Sequence, residues 1–213
     1  MSPRPRTTSD AAILAAVTRV LSRMGPGRLT LADVADEAGH SPAGLVQRFG
    51  SKRGLMLALA RLRAAEVRGE FENARGWHPS PLEAMFETLA GAVHHADTPE
   101  ALAHHLAFTF ADLDDPEFHQ AAFQHARGML DGIRTLLDQA VDAGELDPCD
   151  TEGVARTVQT AWSGALATWA VYRQGALPEW LRGEIEAVLE PWLPPLPEEA
   201  DARPADAGTA TAE

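Results

Sequence analysis

Between positions 30 and 55 the apolar residues fall into two short helical stripes with a break between them. Leu31, Val34, Ala35 and Ala38 stand at i, i+3, i+4 and i+7, one face of a helix. Thr30 before them and Asp33 three places later form a capping pair, hydroxyl to amide and carboxylate back to amide. Gly39 follows, where a helix ends on a residue that tolerates positive φ. Ser41 then caps a second segment, Pro42 takes its first position, and Leu45 and Phe49 share a face four residues apart. Two short helices joined by a glycine-containing turn make a helix-turn-helix, whose second helix enters a DNA major groove.

The pattern on either side is helical too. Ile13, Ala16, Val17, Val20, Leu21 and Met24 predict a helix over about 9–24, broken by Gly25, Pro26 and Gly27. Val17, Leu21, Leu31, Val34, Leu45 and Phe49 then close a three-helix core. Ser51 caps a long helix to about 75, with Leu55, Leu59 and Leu62 inward. It links the head to the body, its later half already in the body. Further segments open at Pro81, at Thr98 with Pro99, at Asp115 with Pro116, at Thr151 and at Pro178. They run to about 95, 113, 143, 174 and 192. No alternating strand and no hairpin dipeptide is present, so the fold is expected to be all-α. The expected division is a DNA-binding head over 1–50, with a flexible basic arm at 1–8, and a helical body over 51–193. Residues 194–213 are rich in Pro, Ala and acid, bury almost nothing, and are expected to be disordered.

Charge changes the picture. A net charge of −13 over 213 residues ordinarily argues against a nucleic-acid partner. Its distribution reverses that. Residues 1–63 carry ten Arg or Lys against four Asp or Glu, and 64–213 carry eight against twenty-seven. A basic head on an acidic body confines DNA attraction to the head. Lys52, the only lysine, stands in the first turn of its helix, against the helix dipole. Phosphate attraction explains it better than helix stability does. The single Cys149 excludes an internal disulfide, fits a reducing cytoplasm, and reads as a bystander in a polar loop. No apolar run reaches the ~20 residues of a membrane span and no secretory signal opens the chain, so a cytoplasmic protein with no membrane partner is expected.

The segment resembles the DNA-binding part of the tetracycline-repressor (TetR) family of bacterial transcriptional regulators. Thr30, Val34, Ala35, Ala38, Gly39, Ser41, Gly44, Leu45, Phe49, Ser51, Lys52 and Leu55 carry the likeness. The chain departs from it at Val46, where the family commonly has Tyr, and at Arg48, where it often has His or Tyr. The resemblance implies that Pro42, Ala43, Gly44, Val46, Gln47 and Arg48 lie on the helix that meets DNA. Gln47 would pair with adenine and Arg48 with guanine or a phosphate. Thr30, Ser41, Lys52 and Arg28 would hold the backbone.

For the body, the resemblance implies a homodimer and a small-molecule effector that alters the spacing of the two heads. Val158, Ala161, Ala165 and Trp169 recur along one helical face, and Leu181, Ile185, Val188 and Trp192 repeat at 4, 3, 4. These eight are the expected dimer interface, with intramolecular packing the alternative. Trp77, Met85, Phe86, Leu89, His105, Phe108, Phe123, Met129, Trp162 and Trp169 are the candidate ligand-lining residues. They imply an apolar or aromatic ligand, and the acidic body favours a neutral or cationic compound over an anion. Seven body histidines include the adjacent pairs His94/His95 and His104/His105. Neighbours on a helix point about 100° apart, so each pair lends at most one ring to a site, and no metal site is assigned. No nucleophile elbow, phosphate loop or zinc-protease motif is present, so neither an enzyme nor a bound cofactor is expected. A homodimeric repressor of a pseudo-palindromic operator is the reading. An activator, a dual regulator, or a ligand-binding or interaction module with weakened DNA binding are the alternatives.

Overall fold

A computed structural model describes residues 9–195. The expected basic arm and residues 196–213 of the expected tail lie outside this range. Among the described residues the chain is helical, with no strand. The helices are α1 (Asp10–Arg28), α2 (Leu31–Ala38), α3 (Pro42–Phe49), α4 (Lys52–Trp77), α5 (Pro81–Gly91), α6 (Pro99–Phe110), α7 (Pro116–Asp142), α8 (Thr151–Tyr172) and α9 (Leu177–Leu189). A single 3-10 turn, Glu190–Trp192, follows α9.

Local chemistry sets most of these boundaries. Ser9, Thr30, Ser41, Ser51, Ser80, Thr98 and Asp115 each accept a backbone N–H in the first turn of the helix they precede. Each such cap contributes about 1 kcal/mol. Proline fills the first turn of α3, α5, α6, α7 and α9, where its missing N–H leaves no bond unmade. Gly25, at φ 76°, breaks α1, so that its last turn is a separate piece.

Two apolar clusters hold the molecule. The head cluster contains Ile13, Val17, Val20, Leu21, Val34 and Leu45. It also takes Leu55, Met56, Leu57 and Leu59 from the first half of α4, and Phe108 and Phe118 from α6 and α7. The body cluster begins on α4 at Val67 and Phe71 and spreads through α5, α7, α8 and α9. The apolar clusters therefore divide within α4, between Leu62 and Val67, rather than after residue 50. Phe108 and Phe118 insert body side chains into the head, so the two parts share packing.

Helix α4 and helix α7 run together through the centre. Gly128 and Gly132, one turn apart on α7, face Val67 and Phe71, one turn apart on α4. A Cβ at Gly128 would lie 2.5 Å from Val67 Cγ1, and one at Gly132 would overlap the Phe71 ring. Missing side chains on one helix are what let the large ones on the other fit.

Candidate nucleic-acid interface and ligand cavity

The α2–α3 pair forms as its residues dictate. Asp33 N–H donates to Thr30 Oγ1 at 3.3 Å, and Thr30 N–H donates to Asp33 Oδ2 at 2.9 Å. The Thr30 hydroxyl also donates to Asp33 Oδ2. These bonds hold the Asp33 carboxyl below its usual pKa, the side-chain bond from Thr30 first. They also commit the single Thr30 hydroxyl proton, so Thr30 has none for a phosphate in this arrangement. Gly39 takes the left-handed conformation at φ 62° and turns the chain. Ser41 Oγ accepts from Gly44 N–H at 3.1 Å and keeps its own proton to donate.

Helix α3 is anchored by Leu45, fully buried, and Phe49, half-buried. Ser41, Pro42, Ala43, Val46, Gln47 and Arg48 are exposed. Val46 is 45% exposed, a large apolar side chain on the outer surface. The Gln47 side chain forms no hydrogen bond among the described residues. Gly44 sits beneath the His40 ring, where a Cβ would overlap it. His40 in turn accepts the Ser41 N–H at 2.9 Å, if Nδ1 is the unprotonated nitrogen. The sequence reading passed over His40, whose signal was a ring placed four residues before a glycine.

The basic residues are less available than their count implied. Arg48 pairs with Asp10 at the start of α1, so meeting a base or phosphate requires that ion pair to exchange. Lys52 Nζ donates to the Pro26 carbonyl at 2.8 Å and Arg28 Nε to the Met24 carbonyl at 3.0 Å. Arg19 and Arg23 pair with Glu37 at 2.6 and 2.7 Å. Arg53 and Arg61 reach Asp115 and Glu117 of α7. These last two join head to body, and with Arg63 they belong to the charge split without serving its DNA-facing purpose.

A cavity of about 570 Å³ lies between head and body. Leu14 and Thr18 of α1 form one side; α4, α6, α7 and α8 form the others. Of the ten candidates, His105, Phe108, Met129 and Trp162 line it. Trp162 is steered by its indole N–H, which donates to the Leu89 carbonyl at 3.0 Å. Met85, Phe86 and Leu89 are buried in the body core, away from the cavity wall. Trp169 is buried near the end of α8, its N–H on the Gly175 carbonyl at 3.3 Å. Trp77, 84% exposed, ends α4, and Phe123, 58% exposed, borders a separate surface groove. Aromatic content alone did not tell a solvated ring from a lining one.

The lining residues that sequence reasoning missed include apolar ones such as Leu106 and Phe118 and three basic ones, Arg63, His95 and His125. Arg63 is lowered to about 10 by burial, with the charge of Glu70 opposing. His95 is lowered to about 4, by burial first and then by the Arg63 charge. His105 lies well below its usual range for the same two reasons. Burial also lowers His125, against a bond to the Arg63 carbonyl that raises it. Of the adjacent histidine pairs, His94 and His95 both reach this wall, against the expectation of one ring per pair, whereas the second pair lends His105 alone. His94 turns to the Gly91 carbonyl and His104 to the Ser22 carbonyl of α1. Among the described residues no group of three or more His, Cys, Asp or Glu is placed to hold a metal ion. Burial and the charges of Asp150 and Asp138 raise the Cys149 thiol, which disfavours the reactive thiolate.

The expected dimer residues face inward. Val158, Ala165, Trp169, Leu181, Ile185 are buried, and Ala161, Val188 and Trp192 are half-buried within the protomer. They hold α8 against α9 and the body. Beyond the Glu152–Arg156 ion pair in its first turns, the exposed side of α8 carries Thr160, Gly164, Ala167, Thr168 and Val171, which are small or apolar and uncharged. A 4-3-4 repeat marks a packed seam but not whether the partner is the same chain. Among the described residues no helix is long and apolar enough to cross a membrane.

Residues 13–59 match the sequence profile of bacterial regulatory proteins of the tetR family. No curated protein matches the chain. A TetR transcription regulator from Haloarcula marismortui is similar in structure at 18% identity and a TM-score of 0.69, over 87% of this chain and 98% of that one. SmeT, the repressor of the Stenotrophomonas maltophilia multidrug efflux pump SmeDEF, is similar at 19% identity and 0.63, over 88% and 92%. FadR from Bacillus subtilis, in complex with stearoyl-CoA, is similar at 15% and 0.64, over 85% and 98%. At these identities the likeness is one of fold. The head thus matches the tetR-family profile in sequence over residues 13–59, and the described helices share the fold of these regulators.

Proposed function

We propose that this protein is a homodimeric repressor, released from its operator when a small, largely apolar ligand enters the cavity. The observation that carries the reading is the cavity wall itself. It is built from α1 of the head, from α4, which runs from head to body, and from α6, α7 and α8. A ligand there touches both parts, so it can favour one head position over another. Helix α6 supports the coupling. His105 lines the cavity, and the adjacent His104 bonds the α1 carbonyl of Ser22 at 2.9 Å and packs on Gly25. Pro26, the next residue, accepts from Lys52. FadR with stearoyl-CoA and SmeT with triclosan are structural relatives that hold ligands.

Dimerisation would use the exposed side of α8, where Gly164 and Ala167 allow a second helix to approach closely. Two copies would set two α3 helices on successive major-groove faces. Gln47 would read bases, with Ser41 and the α3 N-terminus on phosphate.

The test is fluorescence anisotropy on DNA flanking the protein's own gene, at two salt concentrations. Saturable binding of two protomers per site, weakening with salt, is expected. No binding to any fragment at low salt would favour the interaction-module reading, for which Val46 on the outer face and the Arg48–Asp10 pair speak.

A further inference from the structure

One wall of the cavity is basic and short of acceptors. Arg63 stands on the inward stripe of α4, four residues after Leu59 and four before Val67, both buried. Its guanidinium has five N–H donors and accepts nothing. Arg63 Nη1 lies 3.3 Å from His105 Nδ1 and Nη2 lies 3.4 Å from His95 Nε2. Those two ring nitrogens lie 3.0 Å from each other. For the rings to bond, one of the two nitrogens must carry the proton, and that nitrogen cannot accept from arginine. The triangle therefore takes one guanidinium N–H when the rings bond each other and two when they do not, which leaves at least three of the five donors. The Phe108 ring face, 5.4 Å away, is a further contact. Among the described residues no carboxylate forms an ion pair with Arg63.

Arg63 is half-buried, and a cation drawn out of water without an ion-pair partner is stabilised by an anion that brings both charge and acceptors. The other ionisable groups on the cavity wall do not supply one. Glu66 and Glu70 lie further along α4, and burial together with the Glu66 charge pushes Glu70 towards its neutral form. His94, His95, His105 and His125 are the remaining ones. One cation with two acidic neighbours suits a monoanion better than a doubly charged phosphate. A carboxylate matches the guanidinium fork with two parallel bonds.

We propose that the cavity takes an apolar monocarboxylate, its carboxylate on Arg63 and the His95–His105 pair and its apolar body against Leu106, Phe118, Met129 and Trp162. This rests on reading the cavity as the ligand site, and it reverses the preference for a neutral or cationic compound drawn from the acidity of the whole body. Local chemistry outweighs net charge, because the acidic residues are spread over a solvated surface and Arg63 is half-buried on the cavity wall.

The test is isothermal titration of the full chain at pH 7, without DNA. The probes are decanoate and 2-naphthoate, the matching amides, and decylammonium. At least one carboxylate is expected to bind tenfold or more tightly than its amide, with decylammonium weaker still. Arg63→Gln should remove that difference while leaving the amide within twofold, and Arg63→Lys should restore part of it. Amide or decylammonium binding as tight as carboxylate would overturn the proposal. So would an equal loss for both in Arg63→Gln, or no saturable binding by either carboxylate. The wild-type series decides the matter even if a variant fails to fold. If a carboxylate binds through Arg63 but leaves operator affinity unchanged, the site stands and the repressor-release reading fails. If another compound releases DNA and carboxylates do not bind, the reverse holds.

Discussion

Two arginines separate the two working regions of this molecule. Arg48 lies on the outer face of α3 and is paired with Asp10 in contact with water. Arg63 lies inside, against two imidazoles, with no carboxylate bonded to it among the described residues. The surface pair is a weak and exchangeable one, worth about 0–1 kcal/mol. Phosphate can therefore displace Asp10 at little cost. The interior arginine has no such freedom, and its charge helps to lower His95, His105 and His125 beside it. A surface cation is a candidate by position, whereas a half-buried one is a candidate by what it lacks.

The comparison yields predictions of decreasing size. Leu45→Ala should cost about 2–5 kcal/mol, because the reading face rests on that one fully buried side chain. Denaturant unfolding measures it, and a loss under about 1 kcal/mol would mean that α3 is held by something else.

Acidification should next expose the interior. His95 sits near 4 in the folded protein against about 6.5 in an unfolded chain. Between those values the unfolded chain binds a proton that the folded chain refuses. Stability is therefore present above about 6.5 and falls as the pH drops toward 4, by up to about 1.4 kcal/mol per pH unit for each such histidine. His105 and His125 act in the same direction. Unfolding curves at pH 7 and 5.5 should show this slope, and His95→Gln should reduce it. A flat profile would place these rings in water.

Arg48→Ala should cost about 1–3 kcal/mol of operator binding, concentrated at one base position, if Arg48 leaves Asp10 to read DNA. Competition across operator variants tests this. A uniform loss would reassign Arg48 to phosphate, and no loss would leave it with Asp10. The smallest effect belongs to Lys52→Ala. It should weaken binding on all sequences alike and lower the salt slope by about 1. An unchanged slope would mean that Lys52 stays on the Pro26 carbonyl.

Much of the fold was legible because its signals are local. A hydroxyl three residues before an amide, a proline in a first turn or a glycine after a stripe acts within one helical turn. Thr30, Ser41, Ser51, Thr98 and Asp115 all cap as their spacing foretold. The cavity was legible only in part. His105, Phe108, Met129 and Trp162 line it, but Trp77 and Phe123 are exposed. The missed signal was Arg63. Leu55, Leu59, Arg63, Val67 and Phe71 recur every four residues, so one charge interrupts a buried stripe. A charge on a buried helical stripe is the signal that aromatic content does not carry.

By itself, the sequence determined the all-α fold, the nature of the helix-turn-helix and most helix boundaries, since caps and periodicity act over three or four residues. Tertiary structure alone decided which face of a helix meets which neighbour. It turned Val158, Leu181 and Ile185 into the protomer's own core, left Gly164 and Ala167 outside, and brought His95 of one segment to His105 of the next. It also decided which charges stay in water. Arg48 and Arg63 are the same residue in the sequence. Only packing around them makes one a surface partner and the other a half-buried cation on a cavity wall.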